Sequence, residues 1–288
     1  MPELPEVETL RRQLVLAINN RTIESTDIKF FGSISPLKPA EFKKRISNKK
    51  VVNVKRRAKV LIIELTGGLF LLIHLKMTGQ LIFQPKSGRV VIGGHPQKGG
   101  DQGLPNKFTR VIIRFKDGSN LFFNDLRKFG WMKLIDKNEL NKIDQGFGIE
   151  PLSAGFTLKK FEEILNKHKN RGIKQNLLDQ KLIAGIGNIY ADESCFCAGI
   201  LPFRLTKKFN SAEVKKLYKC IIKILKLAVS KKGTSADTYL HLDGRPGGMA
   251  PYLKVYGRND QRCRCCGSKI IKIKLNGRGT HFCNKCQQ

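Results

Sequence analysis

Negative charge is scarce in this chain. Its 288 residues carry 23 Asp and Glu against 54 Lys and Arg, a formal net charge of +31. Such an excess costs self-repulsion in the folded state and draws a polyanion, with nucleic acid the first candidate and an anionic membrane surface the second. Long apolar runs are missing too. None approaches the roughly 18 to 20 residues that span a bilayer, and MPELPEVETL is acidic where a secretory leader would be basic. A soluble, cytoplasmic protein without membrane attachment is expected. Internal repeats at solenoid periods and low-complexity tracts are also absent. What is present is 41% hydrophobic residues, too many for a disordered basic tail, on a length that favours about two domains with a real core.

The apolar residues change period along the chain. After Pro5, Val7, Leu10, Leu14, Ala17 and Ile18 recur at helical spacing, and proline suits a first helical turn. From Val51 to Leu75 two β-rich runs, VLIIEL and LFLLIHL, flank Thr66-Gly67-Gly68, and RVIIRF and NLFF flank Lys116-Asp117-Gly118; both pairs predict antiparallel hairpins. Residues 85–106 hold six Gly and three Pro with little periodicity and read as a long surface loop. After Trp131 the strand signal fades, and residues 135–155 read as a linker. The second half is helical. Thr157 caps one run (Leu158, Phe161, Ile164, Leu165), and Asn210 or Ser211 caps a longer one (Val214, Leu217, Ile221, Ile224, Leu225). Gly185-Ile186-Gly187-Asn188 interrupts the apolar stretches between them, and residues 233–250 form a second Gly-rich stretch.

Eight cysteines remain to be explained. Cys263-x2-Cys266 and Cys283-x2-Cys286, sixteen residues apart, have the spacing of a two-knuckle tetrahedral zinc site, with Cys265 left as a bystander. In a reducing compartment this pattern reads as metal, not disulfide. Residues 258–288 also carry eight Lys or Arg and one Asp, a charge suited to phosphate. GIGN is either an ordinary helix–helix turn or a helix start whose N–H groups face an anion, with Asn188 adding an amide; the charge of the chain favours the second. Met77 in IHLKMTGQL and Arg127 and Phe129 in NDLRKFGW are ordinarily core and solvated residues. On an exposed DNA-facing surface the same types act as wedges and base-edge readers. Removal of Met1 before proline would give Pro2 a free secondary amine able to attack a carbonyl-like carbon, with Glu3 and Glu6 beside it for proton transfer. Without that context the segment is a helix start with acidic residues favouring the dipole, Lys59 is a surface charge and His74 a satisfied strand histidine.

Together MPELPEVETLRR, KRRAKVLIIEL, IHLKMTGQL, NDLRKFGW, LLDQKLIAGIGNIYADE and the C-x2-C-x16-C-x2-C tail with GRGTHFCNKC resemble formamidopyrimidine-DNA glycosylase from end to end. The PELPE start is similar to this family, whereas the related endonuclease VIII family begins PEGPE. The resemblance implies an α+β fold: a catalytic β-sandwich flanked by helices over 1–134, a linker over 135–155, a helix-two-turn-helix domain with a lesion-capping loop over 156–252 and a zinc finger over 253–288, with DNA in the cleft between the halves. It implies a bifunctional glycosylase and AP lyase of base excision repair that flips out an oxidised purine, 8-oxoguanine or a formamidopyrimidine, from double-stranded DNA. The implied catalytic residues are Pro2 as nucleophile, Glu3 as proton donor, Lys59 for β-elimination and Arg278 for δ-elimination. Met77, Arg127 and Phe129 are implied to fill the vacated stack, with Arg127 facing the orphaned cytosine, and His74, Lys169 and Asn188 to contact DNA. One structural Zn2+ on Cys263, Cys266, Cys283 and Cys286, no soluble cofactor, and a monomer complete the expectation. Three departures stand out: Phe108 falls where many members have His, the 85–106 segment is longer than the family norm, and the charge is more positive. Two other readings remain. One is a noncatalytic zinc-finger protein that binds damaged DNA, which retained Met1 would favour; the other is a zinc-ribbon RNA- or ribosome-associated protein, which leaves the N-terminal half unexplained.

Overall fold

In the computed structural model, residues 1–87, 91–94, 103–234 and 247–288 are described. The chain divides into two compact units, Met1–Asp144 with Lys232–Gly248, and Gln145–Lys231 with Met249–Gln288.

The first unit is a sandwich of two antiparallel sheets. Helix α1 (Leu4–Ile18) opens the chain and buries Val7, Leu10, Leu14 and Ile18, the face that the helical spacing predicts. Strand β1 (Ile23–Ile28), helix α2 (Pro39–Ile46) and strands β2 (Val51–Arg57), β3 (Val60–Leu65), β4 (Leu69–His74), β5 (Gly79–Gln84), β6 (Val91–Gly94), β7 (Thr109–Phe115), β8 (Asn120–Asp125) and β9 (Trp131–Ile135) follow. One sheet has the order β1-β7-β8-β5-β6 and the other β2-β3-β4-β9. Both predicted hairpins are present, as β3–β4 and β7–β8. The inner faces meet α1 and α2 in one core that includes Leu14, Phe42, Ile63, Leu71, Leu81, Ile113, Phe115 and Phe123. The segment 85–106 is not uniformly loop: β6 lies within it, paired with β5, while residues 88–90 and 95–102 lie outside the described residues. The β-branched run Val90-Val91-Ile92 is the mark of β6 in the residue pattern, too short to stand out within a Gly- and Pro-rich segment.

The register of the sandwich makes two crossovers run side by side. The chain leaves β4 in one sheet for β5 in the other through residues 75–78, and leaves β8 for β9 through residues 126–130. Because β4 pairs with β9 (His74 opposite Trp131) and β5 pairs with β8 (Gly79 opposite Asp125), the two connections sit at the same end of the sandwich.

Helix α3 (Lys137–Gln145), which buries no side chain, occupies part of the segment expected as a linker. The second unit then holds α4 (Leu158–Lys167), α5 (Ile173–Leu178), α6 (Asn188–Ala198) and α7 (Ser211–Ser230). Thr157 caps α4 by accepting from Lys160 N at 3.2 Å, and Asn210 caps α7 by accepting from Glu213 N at 2.9 Å. Cys197 of α6 and Cys220 of α7 form a disulfide, a pairing the sequence did not indicate because nothing in the spacing of two isolated cysteines distinguishes it. Strands β10 (Ile271–Leu275) and β11 (Arg278–Phe282) form the terminal hairpin. Its two-residue turn, Asn276-Gly277, has both residues at positive φ (47° and 75°), the conformation that Asn-Gly adopts at little cost. Of the Gly-rich stretch 233–250, expected with the helical domain, residues 235–246 lie outside the described residues.

Candidate active site and nucleic-acid interface

The first unit brings the N-terminus into a buried setting. Pro2 and Glu3 are buried at the start of α1. Glu6, at the third helical position, turns back to accept from Glu3 N at 2.9 Å, and its other oxygen accepts from Thr234 N at 2.8 Å. Glu6 therefore clamps the peptide that follows Pro2 and ties it to the segment after α7. The Glu3 side chain accepts in turn from Glu6 N, so the two acidic residues close a capping box at the start of α1. Gly233, at φ +78°, is forced: a Cβ there would come within 2.6 Å of the Glu6 carboxylate.

Lys59 is buried at 6% exposure, at the tight β2–β3 turn whose Ala58 has positive φ. A surface charge is thus excluded for it. His74, at the end of β4, is close enough to feel Lys59 electrostatically. Burial, then Lys76, then Lys59 push its imidazole down to about 3. Its Nδ1 accepts from Lys76 N at 2.9 Å, so the neutral ring carries its proton on Nε2 and keeps that N–H as a donor. The unfolded chain takes up this proton near 6.5 and the folded one near 3. Between those values the unfolded state binds more protons, so stability falls as pH drops through the window. His74→Asn is expected to lessen the loss of urea midpoint between pH 8 and pH 5; an equal loss in variant and wild type would contradict the buried neutral ring.

The two sheet crossovers carry Met77, Arg127 and Phe129, and all three are exposed; Met77 is 43% and Phe129 54% accessible. The Arg127 guanidinium lies over the Phe129 ring, 4.7 Å from its centroid. The sequence reading missed what holds them. Asp125, fully buried, accepts from the Thr78 hydroxyl, from Arg127 N at 3.3 Å and from Gly130 N at 2.7 Å. Thr78 Oγ1 accepts in turn from Arg127 N at 3.0 Å. One carboxylate thus pins the Met77 turn to the Arg127–Phe129 turn. Gly130 is required beside it, since a Cβ would meet the Phe123 ring at 2.7 Å. Only the position of Asp125 ahead of a turn hinted at this, and a turn aspartate is ordinarily exposed. Asp125→Ala leaves Gly130 N–H and the Thr78 hydroxyl without this acceptor and Arg127 N with Thr78 Oγ1 alone, a cost of about 3 kcal/mol. The expected result is a lower thermal midpoint together with weaker duplex binding by fluorescence polarisation; an unchanged midpoint would mean the carboxylate is no anchor. Phe108 stands where β7 begins, its carbonyl accepting from Asp125 N at 2.9 Å.

The second unit assembles the other candidates. Lys169 is exposed between α4 and α5. The GIGN turn is braced by Gln180, whose Oε1 accepts from Gly185 N at 2.9 Å and whose Nε2 donates to Ile186 O at 2.8 Å. Gly187 caps α6 and Asn188 is its first residue. The Asn188 amide donates to Gly279 O at 2.9 Å, so part of its donor capacity serves the hairpin, and the first N–H groups of α6 add to what it can offer an anion. Arg278 is exposed at the head of β11.

The sulfurs of Cys263, Cys266, Cys283 and Cys286 lie within 4.8 Å of one another. Cys263 and Cys286 Sγ are 3.8 Å apart and Cys266 and Cys283 Sγ 3.4 Å apart, near the ~3.8 Å edge of a tetrahedron with ~2.3 Å zinc–sulfur bonds. The donor set therefore fits one structural Zn2+. Cys265 is exposed and outside the set. The adjoining core is only Val255, Cys263, Ile270 and Cys283, with Phe196 and Cys286 against it. Buried Glu193 holds the approach to the finger, accepting from Lys254, Val255 and Tyr256 N.

The chain thus combines a β-sandwich, an acidic, proline-led helix start, a glycine-containing helix turn braced by Gln180 and a basic four-cysteine hairpin. Comparison with known families agrees along the chain. Residues 1–132 match the formamidopyrimidine-DNA glycosylase N-terminal domain, 147–239 the formamidopyrimidine-DNA glycosylase H2TH domain, and 260–288 the zinc finger found in FPG and IleRS. The formamidopyrimidine-DNA glycosylases of Listeria monocytogenes and Bacillus licheniformis are 38% and 39% identical over 291 residues, covering 100% of each chain. Among solved structures, Lactococcus lactis Fpg with abasic-site DNA superposes with a TM-score of 0.87 at 34% identity, covering 99% of each chain. A point mutant of the same Lactococcus protein with Fapy-dG DNA gives 0.88 at 34% over 100% of each. The chain belongs to the formamidopyrimidine-DNA glycosylase family. It is a base-excision-repair DNA glycosylase and AP lyase with one structural zinc. Among the described residues no helix is long and apolar enough to cross a membrane.

Proposed function

We propose that this chain removes oxidised purines, 8-oxoguanine and formamidopyrimidines, from duplex DNA, with Pro2 as the nucleophile. The observation that carries this reading is the exposure of Met77, Arg127 and Phe129 on two crossovers pinned by one buried carboxylate. Apolar and aromatic side chains held out in solvent on a rigid mount suit insertion into a base stack and replacement of a flipped nucleotide. The Lactococcus protein in complex with Fapy-dG DNA supports the substrate class.

With Met1 removed, the Pro2 nitrogen attacks C1′ of the flipped nucleotide and the bond from C1′ to the base breaks. The proton shed by the Pro2 nitrogen goes to the departing base, Glu3 protonates the ring oxygen as the sugar opens, and the amine holds C1′ as an iminium. Loss of a C2′ proton then expels the 3′-phosphate, and a second elimination, assisted by Arg278, expels the 5′-phosphate. Lys59 serves the first elimination and contacts phosphate. Neutral His74 donates from Nε2, while Lys169 and Asn188 contact the backbone. Zinc, when bound, crosslinks the thiolates that hold the β10–β11 hairpin, and the chemistry itself needs no cofactor. In this reading 1–134 is the catalytic domain, 156–252 the helix-two-turn-helix domain and 253–288 the finger, and the protein works as a monomer in the cytoplasm.

The test is borohydride trapping on a duplex with one 8-oxoguanine opposite cytosine, beside an undamaged duplex. A covalent adduct on the lesion duplex alone is expected; binding with no adduct would favour a noncatalytic damage-binding protein.

A further inference from the structure

Lys174, on α5, is a lysine with 1% exposure, and its ammonium is 2.6 Å from Asp192 Oδ1 on α6, itself fully buried. A buried ion pair is a poor source of stability, because desolvating both charges offsets most of their attraction. Its presence calls for another explanation, and its remaining contacts supply one. The same ammonium donates to the Gly279 carbonyl at 3.1 Å and to Thr280 Oγ1 at 2.8 Å. Asp192 Oδ2 accepts from His281 N at 2.9 Å. Three successive residues of β11, immediately after Arg278, are therefore fixed by one buried pair, and Gly279 O also receives Asn188 at 2.9 Å. Lys174 and Arg278 line the same shallow cavity, with Arg171 and Asn276.

We propose that Lys174 and Asp192 are positioning residues for Arg278. They fix the backbone on which its guanidinium stands, and through Gly279 they couple that backbone to Asn188 at the start of α6. The pair sets the second elimination, not base release. Three charge-assisted bonds to consecutive residues leave β11 a single register against α5 and α6, whereas zinc would fix only the open end of the hairpin, through Cys263 and Cys266 before β10 and Cys283 and Cys286 after β11. A guanidinium displaced by about 1 Å from its target can lose about a hundredfold in rate, so the mount matters as much as the side chain.

The inference rests on the role given to Arg278 above, and the experiment separates the two. Zinc-loaded wild type, Arg278→Ala, Thr280→Val and the paired variant Lys174→Met with Asp192→Asn are given a duplex with one preformed abasic site, and the 3′-aldehyde product of one elimination is resolved from the 3′-phosphate product of two. Release of 8-oxoguanine, zinc content and thermal midpoint are followed in parallel. The paired variant removes both charges, so no lone ion is left buried, and the carboxamide introduced by Asp192→Asn retains an acceptor for His281 N. The expected result is a fall of about tenfold in the ratio of 3′-phosphate to 3′-aldehyde for the paired variant, a smaller fall for Thr280→Val, and base release and zinc content within about twofold of wild type. An unchanged ratio in both, with a lowered ratio for Arg278→Ala, overturns the positioning role. So does a proportional loss of every step with loss of zinc, which would make the pair structural only. An unchanged ratio for Arg278→Ala would instead remove the reading of Arg278 on which the inference rests.

Discussion

Replacing Pro2 by glycine is expected to lower the borohydride-trapped adduct by about a hundredfold or more, and a chain that retains Met1 is expected to form none. An amide nitrogen at Pro2 has no available lone pair for C1′. The glycine variant retains an amine but loses the ring that sets the backbone of a buried terminus. Pro2 and Glu3 are both buried, and Glu6 holds the peptide between them from Glu3 N. The nucleophile of this proposal is thus aimed by the start of α1, and a flexible residue there gives up that aim. Duplex affinity should change far less than adduct yield, because the exposed wedge residues and the basic surface are untouched. Intact mass establishes the state of Met1 in each preparation. An adduct of wild-type yield from Pro2→Gly or from a Met1-retaining chain would remove Pro2 as the nucleophile.

Chelation of zinc is expected to unfold the β10–β11 hairpin and weaken duplex binding by at least about tenfold, since the cations of the finger lose their fixed positions. The apolar cluster of the finger is too small to fold it unaided, and a structural zinc contributes about 10 kcal/mol or more of binding free energy to folding. Hydrogen exchange over 271–282, zinc content by a metal-sensitive dye and fluorescence polarisation on duplex DNA follow the three consequences together. The sandwich, with its own core, should keep its protection. If the hairpin stays protected after the metal is gone, the buried Lys174–Asp192 pair and not zinc is what folds it.

Much of this was legible in the residues. The helical spacing of Val7, Leu10 and Leu14, the two hairpins around Thr66-Gly67-Gly68 and Lys116-Asp117-Gly118, and the caps at Thr157 and Asn210 depend on neighbours a few positions away, so local pattern carries them. The paired C-x2-C knuckles are likewise local, and their thiols meet as the spacing required. Strand β6 and helices α2 and α3 are too short to carry a strong local pattern, and the disulfide between Cys197 and Cys220 left none.

By itself the sequence determined the charge that selects a polyanion, the metal knuckles, the acidic proline-led start and the family, because each is a matter of residue type and short spacing. The tertiary structure alone decided that Met77 and Phe129 are exposed and not core, that His74 is neutral with its proton on Nε2, that Lys59 is buried, and that Asp125, Glu6 and Lys174 are the groups on which the candidate residues stand. Exposure and proton affinity are set by what packs around a side chain. For these residues many of the neighbours come from strands and helices far away in the chain, and no local pattern encodes them.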